Sequence, residues 1–163
     1  MAEEFEITEE MRSLIGKESP PWTYELTTTS VRGFARGVGY TDPVYFDVDA
    51  AKAAGYRNLP APPTYLGTPV FIPGKSSDTF SGPIDGAPRV EHGLSGLLYG
   101  GTETEYFGDL CAGDTLTVVS KLAGLDVRQS RSLGKMLIST TETTYTNQDG
   151  KVVAIQRGQA IFY

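Results

Sequence analysis

The chain has 163 residues, of which 39% are hydrophobic and 21% charged, as is typical of a soluble globular protein. The formal net charge of −6 argues against nucleic-acid binding and against adhesion to an anionic membrane, because both favour a basic face. No apolar run approaches the ~18 residues of a membrane span. The opening residues, MAEEFEITEE, carry no apolar signal-peptide core, so we predict a cytoplasmic protein.

Length predicts a single domain over residues 1–163, with residues 1–20 as an N-terminal arm and short helix. The only cysteine, Cys111, cannot form an internal disulfide bond, which fits a reducing compartment. There is no Cys/His cluster for zinc, no phosphate-binding glycine motif and no nucleophile-elbow serine. We therefore predict no metal site and no cofactor.

The first half of the chain predicts three short helices and one strand, from apolar periodicity, capping residues and β-branched content. Ser30 and Asp47 are the predicted N-caps of the second and third helices, and Gly55 stands where a helix-ending glycine is expected. The predicted helices are Thr8–Ile15, Ser30–Val38 and Val48–Ala54, and the predicted strand is Trp22–Thr28.

The second half predicts a loop followed by antiparallel strands. Residues 71–93 are rich in glycine, proline and serine, and predict an irregular loop that is either a partner-contacting flap or an insertion without a role. Gly158 predicts a β-bulge and Asn147–Gly150 a hairpin turn. Helices early and strands late indicate an α+β fold. The predicted strands are Leu97–Phe107, Thr115–Leu122 with a continuation through Val127, Lys135–Thr146 and Lys151–Tyr163.

A motif lies between Ser30 and Leu66. It reads Gly39-Tyr40-Thr41-Asp42-Pro43-Val44-Tyr45, then an alanine-rich run, then Pro62-Pro63-Thr64-Tyr65. This resembles the signature of the MaoC-like hot-dog-fold (R)-specific hydratases and dehydratases, of the FAS1-like dehydratase N-terminal type that includes subunits of mycobacterial hydroxyacyl dehydratases. The resemblance implies a hot-dog domain, in which a long antiparallel sheet wraps around one helix that begins near Pro63 or Thr64.

The chain departs from the family pattern at the catalytic positions. The family's catalytic Asp and His fall on Tyr40 and Tyr45, and its Asn falls on Asp42. A tyrosine, with an ordinary pKa of about 10, is a poor general base at neutral pH, although it can donate a proton or position a water. The alternative is that both rings fill the vacated pocket. We expect Asp42 to cap the turn before Pro43.

Other candidate residues are less specific. His92 is the only histidine, so any imidazole-based step must use it, although a lone loop histidine is usually solvated. Tyr99 stands where relatives of this type often carry a histidine before two glycines. Backbone N–H groups near Thr64–Gly67 are the expected donors to a thioester oxygen. The substrate-binding residues that the resemblance implies are Asp42, Pro63, Thr64, Tyr65, Gly67 and Tyr99.

A basic cluster follows the predicted strand at Thr115. It is either a contact for an anionic carrier or an ordinary polar hairpin. Its members are Arg128, Arg131 and Lys135.

The resemblance implies a subunit of an enoyl-thioester hydratase or 3-hydroxyacyl-thioester dehydratase, whose acyl group is carried by coenzyme A or acyl-carrier protein. In this interpretation the chain shapes the substrate pocket, and a second hot-dog subunit that retains Asp and His does the chemistry within a hetero- or homo-oligomer. Two alternatives stay open. One is a non-catalytic acyl-CoA or lipid-binding homo-oligomer with an aromatic interior, and the other is a stand-alone hydratase that uses His92 or the tyrosines. The aromatic interior would include Tyr40, Tyr45, Tyr65 and Phe71.

Overall fold

The computed structural model describes residues 5–67 and 87–163, and of Tyr24 only the backbone. Within these residues, short helices are followed by a five-stranded sheet, which confirms the α+β class. The helices are α1 (Glu9–Ser13), α2 (Thr28–Gly37) and α3 (Val48–Ala53), with 3₁₀ turns at Pro43–Tyr45 and Tyr65–Gly67. The strands are β1 (Trp22–Glu25), β2 (Leu97–Tyr106), β3 (Thr115–Ser130), β4 (Gly134–Thr146) and β5 (Val152–Phe162).

The start of α2 differs from the prediction. Its N-cap is Thr27, whose hydroxyl accepts from the Ser30 N–H at 3.0 Å, while the Ser30 hydroxyl accepts from the Thr27 N–H at 3.0 Å. This reciprocal pair is a capping box, so Ser30 lies inside the first turn and the prediction of Ser30 as N-cap is wrong. The helix therefore takes Thr28, and the strand that was predicted to reach Thr28 ends at Glu25.

Other local predictions are confirmed. Asp47 caps α3, because its Oδ1 accepts from the N–H groups of Asp49 and Ala50 at 2.7 and 3.1 Å. Asn147–Gly150 forms the turn between β4 and β5, with Gly150 at a φ of 74° that few residues besides glycine adopt. β3 continues past the predicted Val127 to Ser130.

Part of the predicted loop and of the central helix lies outside the described residues. Residues 87–93 contain neither helix nor strand, as predicted, and residues 71–86 are not described. The helix expected near Pro63 or Thr64 is seen as the 3₁₀ turn Tyr65–Gly67, beyond which the described residues stop. In the part of the chain that the structure covers, no helix is long and apolar enough to cross a membrane.

The sheet is antiparallel throughout and its strands lie in the order β1-β3-β4-β5-β2, so β2 forms one edge.

The predicted bulge at Gly158 is wrong, because Gly158 pairs regularly with Thr102 and Thr141. In the β2–β5 pair the irregularity lies instead on β2 at Gly100, and the other pairs have theirs at Ala123 on β3 and Val153 on β5. A Cβ at Gly100 would lie 2.9 Å from the Cβ of Gln159, so the close approach of β5 explains why glycine stands there.

One face of the sheet packs into the core. Leu116, Val118 and Leu122 alternate along β3 with more exposed residues and are fully buried, as their spacing predicts. On the neighbouring strand β4 the buried residue Tyr145 belongs to the same cluster as Leu116. This core face lies toward the second part of the motif, because the cluster also includes residues at the end of the motif and in two neighbouring segments. Those members are Leu26, Tyr65, Leu66 and Leu110.

A short segment, residues 110–114, joins three distant parts of the chain, and we call it the junction. Asp114 is only 2% exposed. Its Oδ2 accepts from the Cys111 N–H at 2.9 Å and forms an ion pair with Arg57, and its Oδ1 accepts from the side-chain amide of Gln148 at 3.3 Å. The carboxylate thus connects the segment after α3, the start of β3 and the β4–β5 turn.

Backbone hydrogen bonds reinforce the junction. The Ala61 N–H donates to the Leu110 carbonyl at 2.7 Å, and the Ala112 N–H donates to the Leu59 carbonyl at 2.8 Å. The Leu26 N–H donates to the Asp114 carbonyl at 2.8 Å, which joins the end of β1. The motif segment is therefore fixed to the sheet by a short antiparallel pairing that lies outside the main strands.

The outer face of the sheet carries a charged row across three strands. Glu142 on β4 lies opposite Lys121 on β3 and Arg157 on β5. Its two carboxylate oxygens are each 2.8 Å from a cation, Lys121 Nζ and Arg157 Nε. The Glu142 side chain is only 16% exposed, and these two partners, Lys121 first, lower its pKa below the ordinary range of a glutamate.

We predict that Asp114→Ala lowers the free energy of unfolding by about 1–3 kcal/mol, because the buried Cys111 N–H loses its hydrogen-bond acceptor. The matched control is Asp149→Ala in the exposed β4–β5 turn, because the Asp149 side chain makes no hydrogen bond to the residues that the structure describes. Urea unfolding of both variants measures the difference. Equal unfolding midpoints for the two variants would contradict the role given to Asp114.

We predict that Glu142 stabilises the fold in a pH-dependent way. Because the pKa of Glu142 is lower in the folded state, the stabilisation from its carboxylate is fully present above its unfolded-state pKa of about 4.5. That stabilisation is lost as the pH falls through the folded-state pKa. The stability difference between the wild type and Glu142→Gln should therefore be large at pH 7 and shrink below about pH 4.5. Thermal unfolding of both proteins across pH 3–7 measures it, and a pH-independent difference would argue against the ion pairs.

Candidate functional site

The motif forms a tight turn between α2 and α3. Gly39, with a φ of 85°, follows the end of α2, and the 3₁₀ turn Pro43–Tyr45 comes next. Asp42 caps this turn, as predicted, because its Oδ1 accepts from the Val44 N–H at 3.0 Å. The carboxylate is thereby engaged with the backbone, and the turn sets where the Tyr45 side chain lies.

Tyr40 and Tyr45 lie side by side. Their ring centroids are 5.1 Å apart at an interplanar angle of 39°. Tyr40 is 38% exposed, so it does not fill a closed pocket, whereas Tyr45 is half-buried. Neither hydroxyl donates a hydrogen bond to any residue in the described ranges. Burial, followed by the proximity of Tyr40, Tyr56 and Asp42, raises the pKa of Tyr45, which makes this phenol a still poorer base at neutral pH.

A cavity of about 180 Å³ lies beside Tyr45, and we call it the tyrosine cavity. Tyr106, from the end of β2, crosses toward Pro63 and donates a hydrogen bond from its hydroxyl to the Pro63 carbonyl. Burial raises the pKa of Tyr106, so this phenol also stays protonated at neutral pH. The lining residues that carry the argument below are Tyr45, Tyr56, Pro63, Tyr106 and Asp109.

The turn Tyr65–Gly67 is held from two sides. The Tyr65 side chain is buried, its hydroxyl donates to the Ser30 hydroxyl at 2.9 Å, and its ring packs edge-on against Phe34 with centroids 5.4 Å apart. From the sheet, the Tyr145 hydroxyl lies 3.3 Å from the Leu66 carbonyl and donates to it. The backbone of the predicted substrate-binding turn is thus fixed, while Pro63 and Thr64 are exposed before it.

His92 and Tyr99 lie at the other end of the sheet. The His92 ring packs on Phe162 with centroids 4.0 Å apart, and its Nδ1 accepts from the Leu94 N–H at 3.0 Å. Tyr99 is 76% exposed and shares a hydrogen bond with the Thr102 hydroxyl. Tyr99 and Tyr106 are seven positions apart on β2, or roughly 20 Å. The structure therefore places Tyr45 and Pro63 at one cavity, away from His92 and Tyr99.

The basic cluster contains an acid. Arg128 Nε lies 2.7 Å from Asp126 Oδ2, and both side chains are exposed. Lys135 pairs in register with Gln129 across the β3–β4 hairpin, and Arg131 is exposed in its turn. Within residues 5–67 and 87–163, no group of three or more His, Cys, Asp or Glu side chains is placed to hold a metal ion.

Three residues of the tyrosine cavity were not predicted from the sequence: Tyr56, Tyr106 and Asp109. They are separated from each other by up to fifty-three positions. They meet because the pairing of residues 59–61 with 110–112 is non-local, and no spacing rule reveals such a pairing. The available signal was a polar Gly108-Asp109 pair at a point where a predicted strand ends, since functional residues concentrate in such connections.

The antiparallel five-stranded sheet has the architecture of solved hot-dog-fold proteins. The structure of the HadBC (3R-hydroxyacyl-ACP dehydratase) complex from Mycobacterium tuberculosis matches it with a TM-score of 0.67. The match covers 91% of this chain and 96% of that chain at 20% sequence identity. At this identity the likeness establishes the fold.

The family follows from sequence matches. The family model described as "FAS1-like, dehydratase domain region" matches residues 13–156, so the chain belongs to that family of MaoC-like hot-dog proteins. A UPF0336 protein of Streptomyces avermitilis is 35% identical over 123 residues, which is 71% of this chain and 77% of that protein. A probable enoyl-CoA hydratase alpha subunit of Thermomonospora curvata is 29% identical over 133 residues, which is 78% of this chain and 41% of that protein.

We predict that Tyr65→Phe lowers the free energy of unfolding by about 0.5–1.5 kcal/mol, because the hydrogen bond to Ser30 is lost while the ring packing stays. Ser30→Ala removes the same bond and also opens the capping box. In a double-mutant cycle measured by urea unfolding, the double variant should lose less stability than the sum of the two single variants. Strict additivity would show that the two hydroxyls do not interact.

Proposed function

We propose that this chain is the substrate-pocket subunit of a hydratase or dehydratase that acts on enoyl or 3-hydroxyacyl thioesters, and that a second hot-dog subunit supplies the catalytic acid and base. The observation that carries the proposal is the pair of adjacent phenols, Tyr40 and Tyr45, at the two positions where the resemblance places a catalytic Asp and His. The scaffold of the motif is retained, and its usual chemistry is missing.

Hydration of an enoyl thioester needs one group that removes a proton from water and another that protonates the substrate carbon. Tyr45 cannot act as that base near pH 7, because burial raises its pKa. His92 already uses Nδ1 as an acceptor and lies at the far end of β2. Asp42 is engaged in capping the motif turn. These contacts favour a division of labour over a stand-alone hydratase.

The edge strand β2 supports pairing with a second subunit. It is the last strand in the sheet, and Leu97 and Tyr99 on it are 63% and 76% exposed. A free strand edge with exposed apolar side chains is a template for pairing with another chain. The similar HadBC structure is itself a complex, and by analogy we propose that a partner's edge strand continues this sheet beyond β2.

The substrate contacts are part of the same proposal. In this proposal the exposed Pro63 and Thr64 and the backbone of Gly67 contact one part of the acyl thioester, and the exposed Tyr99, at the other end of β2, contacts another part. Tyr65 holds the turn that follows Pro63 and Thr64, and Asp42 holds the turn that carries Tyr45. Gly158 and Ala160 on β5 share the core face with Tyr99, and their small size leaves room for an acyl chain beside the paired edge. We propose that the thioester carrier is coenzyme A or acyl-carrier protein and that the complex acts in the cytoplasm without a cofactor.

The test is an assay of crotonyl-CoA and a longer enoyl-CoA with the chain alone, with a MaoC-like subunit that retains Asp and His, and with both together. We predict no hydration by the chain alone. We also predict a higher rate in the mixture than with the MaoC-like subunit alone, most clearly for the longer substrate. Tyr45→Phe should leave the rate of the mixture unchanged, because the phenol takes no part in proton transfer. Turnover by the chain alone, abolished by Tyr45→Phe, would contradict the proposal.

A further inference from the structure

The tyrosine cavity has walls that are unusual for a thioester site. Three tyrosines, Tyr45, Tyr56 and Tyr106, are among the residues that line it, together with the carboxylate-bearing Asp109. From this combination we propose that the cavity binds a small quaternary-ammonium compound, that is, an organic cation with a trimethylammonium group. Aromatic cages with an accompanying carboxylate attract such cations because the ring faces carry partial negative charge.

The charge around the cavity fits a cation. Among the residues that the structure describes, no lysine, arginine or histidine lines it. The nearby guanidinium of Arg57 is held elsewhere, by the Asp114 carboxylate and by the Asp109 backbone carbonyl at 3.2 Å. Within the described residues no ion pair ends on the Asp109 side chain, although its charge interacts at longer range with the Arg57 guanidinium. An anionic ligand would instead meet this carboxylate and the negative faces of the rings.

The size of the cavity also favours a small ligand. Its volume of about 180 Å³ equals the share of roughly six water molecules at about 30 Å³ each. That space accepts a trimethylammonium headgroup. The cavity is closed on one side by Tyr106, whose hydroxyl is tied to the Pro63 carbonyl.

The attraction does not depend on ionised phenols. Burial raises the pKa of both Tyr45 and Tyr106, so these rings are neutral near pH 7. The cation is therefore held by ring faces and by the Asp109 carboxylate. The inference does not depend on the proposed hydratase role, because it requires neither a partner subunit nor a thioester.

The experiment compares choline with its neutral isostere 3,3-dimethylbutan-1-ol, using calorimetry on the full chain. The two molecules have nearly the same shape, so their difference isolates the positive charge. We expect choline to bind about 3- to 30-fold more tightly. Equal affinities, or an absence of choline binding, would overturn the proposal.

Variants locate the binding. Tyr56→Leu and Asp109→Asn should each weaken choline binding several-fold, while Tyr56→Phe should keep it because the ring remains. Tyr99→Leu is the matched control, since it removes an exposed tyrosine at the other end of β2 and should leave choline binding unchanged. Circular dichroism checks that each variant is folded. Choline binding that survives Tyr56→Leu, or that falls equally in Tyr99→Leu, would overturn the assignment to this cavity.

Discussion

The buried carboxylate of Asp114 holds together three parts of the chain that are far apart in sequence. It connects Arg57 after α3, the Cys111 N–H before β3, and Gln148 in the β4–β5 turn. A buried carboxylate is stable only when its oxygens are satisfied, so each of these partners must be in place when the fold is complete. The position of the motif turn relative to the sheet follows from this requirement, and so does the shape of the tyrosine cavity.

The motif turn and the edge strand carry two different parts of the candidate functional surface. The turn brings Tyr45 to the tyrosine cavity, beside Tyr56 and Tyr106. The edge strand β2 presents Leu97 and Tyr99 to solvent, where another strand can pair. In the proposed function, this turn and this edge shape a site that a partner subunit completes.

Features set by neighbouring residues were predictable from the sequence. Asp42 and Asp47 cap the elements that follow them, because an N-cap depends on only three or four residues. The start of α2 was misplaced since Thr27 and Ser30 are both good caps, and only the reciprocal bonds decide between them. The bulge was assigned to Gly158 when it lies at Gly100 across the strand pair, because a crowded contact between strands has no local signature. The hot-dog fold came from the resemblance of the motif, and the tyrosine cavity required the non-local pairing at the junction.

Hydrogen exchange of the β2 amides tests the central claim most directly, namely that a second hot-dog subunit pairs with this edge. The chain is measured alone and with a MaoC-like subunit that retains Asp and His. The account predicts that the outward-facing amides of β2 exchange rapidly in the chain alone and are strongly protected in the mixture, while those of β3 and β4, already bonded within the sheet, change little. Unchanged exchange of β2 in a mixture that is active, or protection confined to another surface, would contradict the account.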